Sequence, residues 1–207
     1  MPHFIHNEVT NDKYLYHFVH FLPGFECIFL LFENNSLVRL EEDRQVEKTI
    51  AAREMVLKSV ESLSDEDLNR IPEKGKWSIA QVLEHLYLIE MDIVDGIMET
   101  LSKDEYIQVN SKAIQNILDR TVKRVAPINL TPSNRFQTLN ELKQKLDESR
   151  QALFNSISGI SDKELEQKSF IHRKYGLLTI RQWITLIGYH EERHLKQIEE
   201  IKEMLKK

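Results

Sequence analysis

Three residue pairs in this chain, Ser78 with Gln81, Ser161 with Glu164 and Thr179 with Gln182, have the spacing of a capping box. In that arrangement a hydroxyl and a long polar side chain satisfy each other's free backbone N–H groups at a helix start. Two of the pairs open long apolar stripes, Val82, Leu83, Leu86, Ile89, Ile93 and Ile97 after the first, and Trp183, Ile187, Ile198 and Ile201 after the last. Recurrence every three or four residues puts each set on one side of a helix, which predicts helices over 79–102 and from 180 to the C-terminus. Val46, Ile50, Met55, Leu57, Val60 and Leu63 predict another over 41–63. Leu139, Leu142, Leu146, Leu153 and Ile157 predict a fourth over 135–158, stopped near Gly159. Four amphipathic helices bury their stripes against one another, so the fold expected is an all-α four-helix bundle. Between 102 and 133 the pattern weakens to Ile114, Ile117, Leu118 and Val122, and a long crossover therefore separates the second helix from the third.

Only six glycines and five prolines punctuate 207 residues, and charged residues make up 29%, the composition of a helix-rich globule rather than a disordered chain. A net charge of -5 spread over mixed-sign faces gives no concentrated basic surface, so a nucleic-acid partner is not expected. The lone Cys27 forms no internal disulfide, which favours a reducing, cytoplasmic setting. Phe18 to Phe32 is the most apolar run. It is too short for a membrane span and is interrupted by Pro23, Gly24 and Glu26. Residues 1–40 read as an N-terminal arm or extension, and 41–207 as the bundle domain.

The chemistry is concentrated in histidines. His190 and His194 are four residues apart, on the same helix face as Ile187 and Ile198, and two imidazoles so placed can grip one ion. His85 lies on the inward stripe of the second helix between Val82 and Ile89 and supplies a third ligand from a facing helix. Each histidine alone would read as a hydrogen-bonded core residue; the pair together with a third inward ring makes a divalent-metal site. Three neutral imidazoles leave a coordination position open to a water or a small-molecule thiol, either of which the ion makes more acidic.

His190 to His194 also spells H-E-x-x-H, the zinc-peptidase motif. That motif takes its third ligand from downstream, and only Leu195 to Lys207 follow, with no histidine and no second helix. A peptidase is therefore not expected. Glu191 remains a weak catalytic candidate, as a base or as a partner to a ligand, and it could equally face solvent beside Glu192.

Three stretches, Lys76–Leu86 (KWSIAQVLEHL), Gly176–Thr179 leading into Trp183, and Gly188–Ile198 (GYHEERHLKQI), resemble the DinB-like superfamily, in particular its DinB and YfiT-like branch. The resemblance spans about Leu40 to Lys207. It implies an up-down-down-up bundle with zinc or nickel on His85, His190 and His194, and a metal-dependent hydrolase or thiol S-transferase acting on a small-molecule substrate. It also implies a homodimer, since members often pair. His3, His6, His17 and His20 are not carried over as ligands, and His172 reads as a solvent-exposed loop residue rather than one at the site mouth. The alternative reading is a non-catalytic, metal-stabilised bundle with a structural or stress-associated role.

Overall fold

A computed structural model describes residues 38–107, 109–123 and 125–206. Residues 42–207 make one compact unit. The arm expected over 1–40, with Cys27 and its four histidines, lies almost wholly outside the described residues. Four long helices dominate: α1 (Val38–Val60), α3 (Ile79–Leu101), α4 (Leu139–Ile157) and α6 (Ile180–Leu205). The short helices α2 (Asp65–Asn69) and α5 (Asp162–Gln167) precede α3 and α6. The three expected capping boxes form at α3, α5 and α6, and a fourth, Thr138 with Glu141, starts α4 a few residues later than the apolar pattern suggests. The box of Ser161 and Glu164 opens only the six residues of α5, because no apolar stripe follows it.

The bundle core is stacked in two apolar blocks. One gathers Val56, Val60, Leu83, Leu86, Leu142, Leu146 and Ile198, and the other Ile93, Ile97, Leu153, Leu178, Trp183 and Ile187. Along α3 and α4 the chain passes from the first block to the second, and along α6 from the second to the first, while α1 ends in the first. The order is therefore up-down-down-up. Since α3 and α4 run parallel, the segment between them must return the full length of the bundle. Where the apolar pattern weakens, that crossover contains two 3₁₀ turns, Ile114–Leu118 and Ile128–Leu130, and Val122 is exposed rather than part of a stripe.

Between the blocks lies a buried ion network with one contributor or more from every long helix. Arg53 of α1 donates to Glu90 of α3 and to Glu191 of α6, both at 2.6 Å. Arg150 of α4 donates to the same two carboxylates, at 2.6 and 2.8 Å. Ser149 adds a bond to Glu90, and the remaining guanidinium N–H groups cap the carbonyls of Leu146 and Thr49. Two positive and two negative charges cancel. The network corrects the expected inward stripe of α1, since Ile50 and Met55 are exposed and the buried face runs through Thr49, Ala52, Arg53, Val56 and Val60.

A small antiparallel hairpin, β1 (Ser169–His172) and β2 (Gly176–Thr179), is an addition to the expected helices. Gly176 closes its turn at φ +70, a conformation that a side chain disfavours. Phe170 stacks flat on Trp183 with ring centroids 4.4 Å apart, and its ring lies against Gly96 of α3. No helix among the described residues is long and apolar enough to cross a membrane.

Candidate metal centre

His85, His190 and His194 converge, and one ring nitrogen from each lies within 4.8 Å of the others. His85 and His194 are buried, and His190 is half-buried. Each of the two buried rings is oriented from behind. His85 Nδ1 lies 2.8 Å from the Leu130 carbonyl, which can only accept, so the proton is on Nδ1 and the Nε2 lone pair faces the cluster. His194 Nδ1 lies 2.9 Å from Gln197 Oε1 in the same relation. Arg120 also donates to that oxygen, at 3.4 Å, and holds Glu200 through a two-bond fork. His194 Nε2 is therefore an acceptor, and it lies 3.1 Å from His190 Nε2. Donors bound 2.0–2.1 Å from a tetrahedral ion sit about 3.3 Å from one another, so this separation suits two ligands of one ion.

The loop that carries Leu130 is itself held by side chains of α3, at Ser133 and Asn134. Glu84 accepts from the Ser133 N–H and hydroxyl at 2.7 and 2.8 Å, and Gln81 donates to the Ser133 carbonyl and to Asn134. Consecutive turns of one helix thus carry a candidate ligand and the clamps on the loop that orients it. Arg193 clamps the other arm of the crossover by donating to the carbonyls of Ile117 and Val122.

Burial favours the neutral form of His85 and His194. Burial lowers the His85 pKa despite the Leu130 bond, and burial followed by the neighbouring His190 and His85 holds His194 well below the ordinary histidine value. Neutral imidazoles present lone pairs to a cation. The three rings sit in a cleft of about 950 Å³, walled by Trp77, Ile89, Ile93, Trp183 and Leu186. This is room for a small organic molecule.

Glu191, the weak catalytic candidate, does not line this cleft. It is 1% exposed, and its Oε1 receives both arginines. The letters H-E-x-x-H therefore place no base beside the rings. The two network carboxylates differ in kind. Burial works to raise Glu90, but Arg53, Arg150 and Ser149 outweigh it and leave the pKa lowered, whereas at Glu191 burial prevails and the pKa is raised. Glu90 engages both oxygens, while Glu191 Oε2 has no hydrogen-bond partner among the described residues. His172, expected in solvent, instead lines the cleft, with its ring 5.1 Å from Trp183 and its Nδ1 accepting from the backbone of Lys174 and Tyr175.

The sequence model of the DinB superfamily matches residues 48–198. An uncharacterized protein of Bacillus subtilis (strain 168), YuaE, is 36% identical over 148 residues, which cover 72% of this chain and 91% of that protein. Two solved structures share the fold. TT2238, a four-helix bundle protein, is similar with a TM-score of 0.54 and 18% identity, over 77% of this chain and 98% of the other. YfiT from Bacillus subtilis, described as a probable metal-dependent hydrolase with an unusual four-helix bundle topology, is similar with a TM-score of 0.52 and 16% identity, over 84% and 93%. The capped bundle, its up-down-down-up order and these matches together make the chain a member of the DinB superfamily.

Proposed function

We propose that the protein holds one divalent metal ion, zinc or nickel, on His85, His190 and His194 and uses it to act on a small molecule in the adjoining cleft. The observation that carries this reading is the convergence of three ring nitrogens within 4.8 Å, two of them aimed by hydrogen bonds on the far side of their rings. Imidazole suits both metals, and a bound ion would polarise an oxygen or acidify a thiol at its open position. The chain's own residues do the rest. Leu130 and Gln197 fix the ligand rings, while Trp77, Ile89 and Trp183 give the cleft apolar walls. Two reactions fit such a site, hydrolysis and transfer of a low-molecular-weight thiol to an electrophile. YfiT is described as a hydrolase, which favours testing hydrolysis first.

The test is elemental analysis of untagged protein purified without chelator, on the parent and on His190→Ala. Stoichiometric metal in the parent and its loss from the variant support the reading. A parent that stays metal-free after exposure to zinc and nickel overturns it. The alternative, an ion that serves only to hold the bundle together, makes a different prediction for His85→Ala. The buried ion network links α1, α3, α4 and α6 without any metal, so His85→Ala is expected to lose metal and remain folded by circular dichroism. Unfolding of that variant would favour a structural ion.

A further inference from the structure

The cleft is basic on an acidic protein. The chain carries a net charge of -5, yet Lys76, Arg120, Lys123, Arg173, Lys174 and Arg193 line this opening against two carboxylates, Asp92 and Glu200. Four of the six cations are engaged. Arg120 forks onto Glu200, Arg193 caps crossover carbonyls, Lys76 pairs with Glu73, and Lys174 donates to Asn116. Lys123, from the crossover, and Arg173, from the hairpin turn, make no ion pair or hydrogen bond among the described residues, and both are exposed. Beside them Val125 and Ile171 present apolar surface, 94% and 74% exposed, to the same opening.

Two uncommitted cations next to an apolar wall describe a receptor for an amphiphilic anion. We propose that the cleft takes a small molecule with an apolar body and an anionic group (carboxylate, phosphate or sulfonate), with Lys123 and Arg173 holding the anion and Trp77 and Trp183 the body. The inference rests on the reading of this cleft as the substrate site, but the rim cations act independently of the metal. Like-charged groups at a concave mouth also concentrate and orient an anion before contact. Arg173 can engage two oxygens at once, which Lys123 cannot.

The test uses a matched pair of dyes, 8-anilinonaphthalene-1-sulfonate and its uncharged analogue N-phenyl-1-naphthylamine. The protein has two tryptophans and both line the cleft, so their quenching by energy transfer reports dye bound within reach of it, and the rim variants below assign the site. The sulfonate is expected to bind roughly five-fold more tightly than the neutral dye, from two solvent-exposed charge contacts. In the double variant Lys123→Ser with Arg173→Ser this preference disappears while affinity for the neutral dye is unchanged. Equal binding of the two dyes by the parent, or a preference that survives the double substitution, overturns the proposal. The same measurement on His190→Ala separates it from the metal reading, since a rim-borne preference persists there. Loss of the preference in His190→Ala alone would assign the anion to the metal and refute the rim. Anionic phospholipid vesicles should not displace the dye; displacement would point to a membrane surface instead.

Discussion

Replacing Gln197 by leucine removes the acceptor behind His194 with little change in side-chain volume. The Nδ1–H, now 2.9 Å from Gln197 Oε1, would be left without a partner on a ring that is 6% exposed. An orphaned buried donor costs about 1–3 kcal/mol, and loss of a group that orients a metal-bound histidine typically lowers metal affinity about 10- to 100-fold. The substitution also removes the 3.4 Å acceptor of Arg120, but the two-bond fork from Arg120 to Glu200 does not depend on Gln197, so the crossover stays attached and the main effect falls on His194. The assay is a competitive zinc titration against a chromophoric chelator, run on parent, Gln197→Leu and Gln197→Glu. Leucine should weaken binding by one to two orders of magnitude. Glutamate keeps the acceptor and adds a charge, so it should bind zinc at least as tightly as the parent. If Gln197→Leu binds zinc within about three-fold of the parent, the bond to Gln197 does not orient the ring, and the argument that His194 is aimed from behind is wrong.

Glu90→Ala leaves Arg53 and Arg150 sharing one carboxylate in the core and should cost about 3–5 kcal/mol in urea unfolding of the chelator-treated protein. Glu90→Gln supplies the pH test. The Glu90 pKa is lowered in the fold from 4.5, so its charge contributes stability that is fully present above about pH 4.5 and is lost as pH falls below it. The parent's advantage over Glu90→Gln should shrink across that window, and an advantage that does not change with pH would exclude the carboxylate as its source. Gly96→Ala would place a Cβ 2.5 Å from the Phe170 ring, which cannot retreat because Trp183 stacks on it. A loss of about 1–3 kcal/mol is expected, relieved by a second substitution, Phe170→Leu, which can be checked by a double-mutant cycle.

The parts legible in the sequence share one property: the signal was local. Capping pairs announce helix starts within four residues, and the spacing of His190 and His194 places both rings on one face before any partner is known. His85 could be joined to them because it sits on an apolar stripe that must face inward. What was missed depends on residues far apart. The apolar pattern puts Ile50 and Met55 on the inward face of α1 with Val46, Leu57, Val60 and Leu63, although both are exposed. The true face includes Arg53, whose burial makes sense only once Glu90 and Glu191 are across from it, 37 and 138 residues away. A signal was present, since Glu90, Arg150 and Glu191 each fall among apolar positions at helical spacing, with charges that sum to zero with Arg53. The hairpin was hidden because strands of four residues carry too little alternation to be read. His172 therefore reads as loop in the sequence, although the strand pairing turns it toward Trp183.

The ion network also sets an azimuth. Successive residues of an α-helix point about 100° apart, so fixing one side chain of α6 fixes the directions of its neighbours. Glu191 is the residue between the arginines, and His190 and His194 follow from it by rotation. Turning α6 to carry the rings out of the cleft would drag a carboxylate away from Arg53 and Arg150, and sliding it by one position would offer them His190 or Glu192 instead. The four charges therefore act as a key in a slot. By fixing the rotation of α6 they aim the histidines, and a mutation at Arg53, on a different helix and outside the lining of the cleft, is expected to reach the rings as a change of angle.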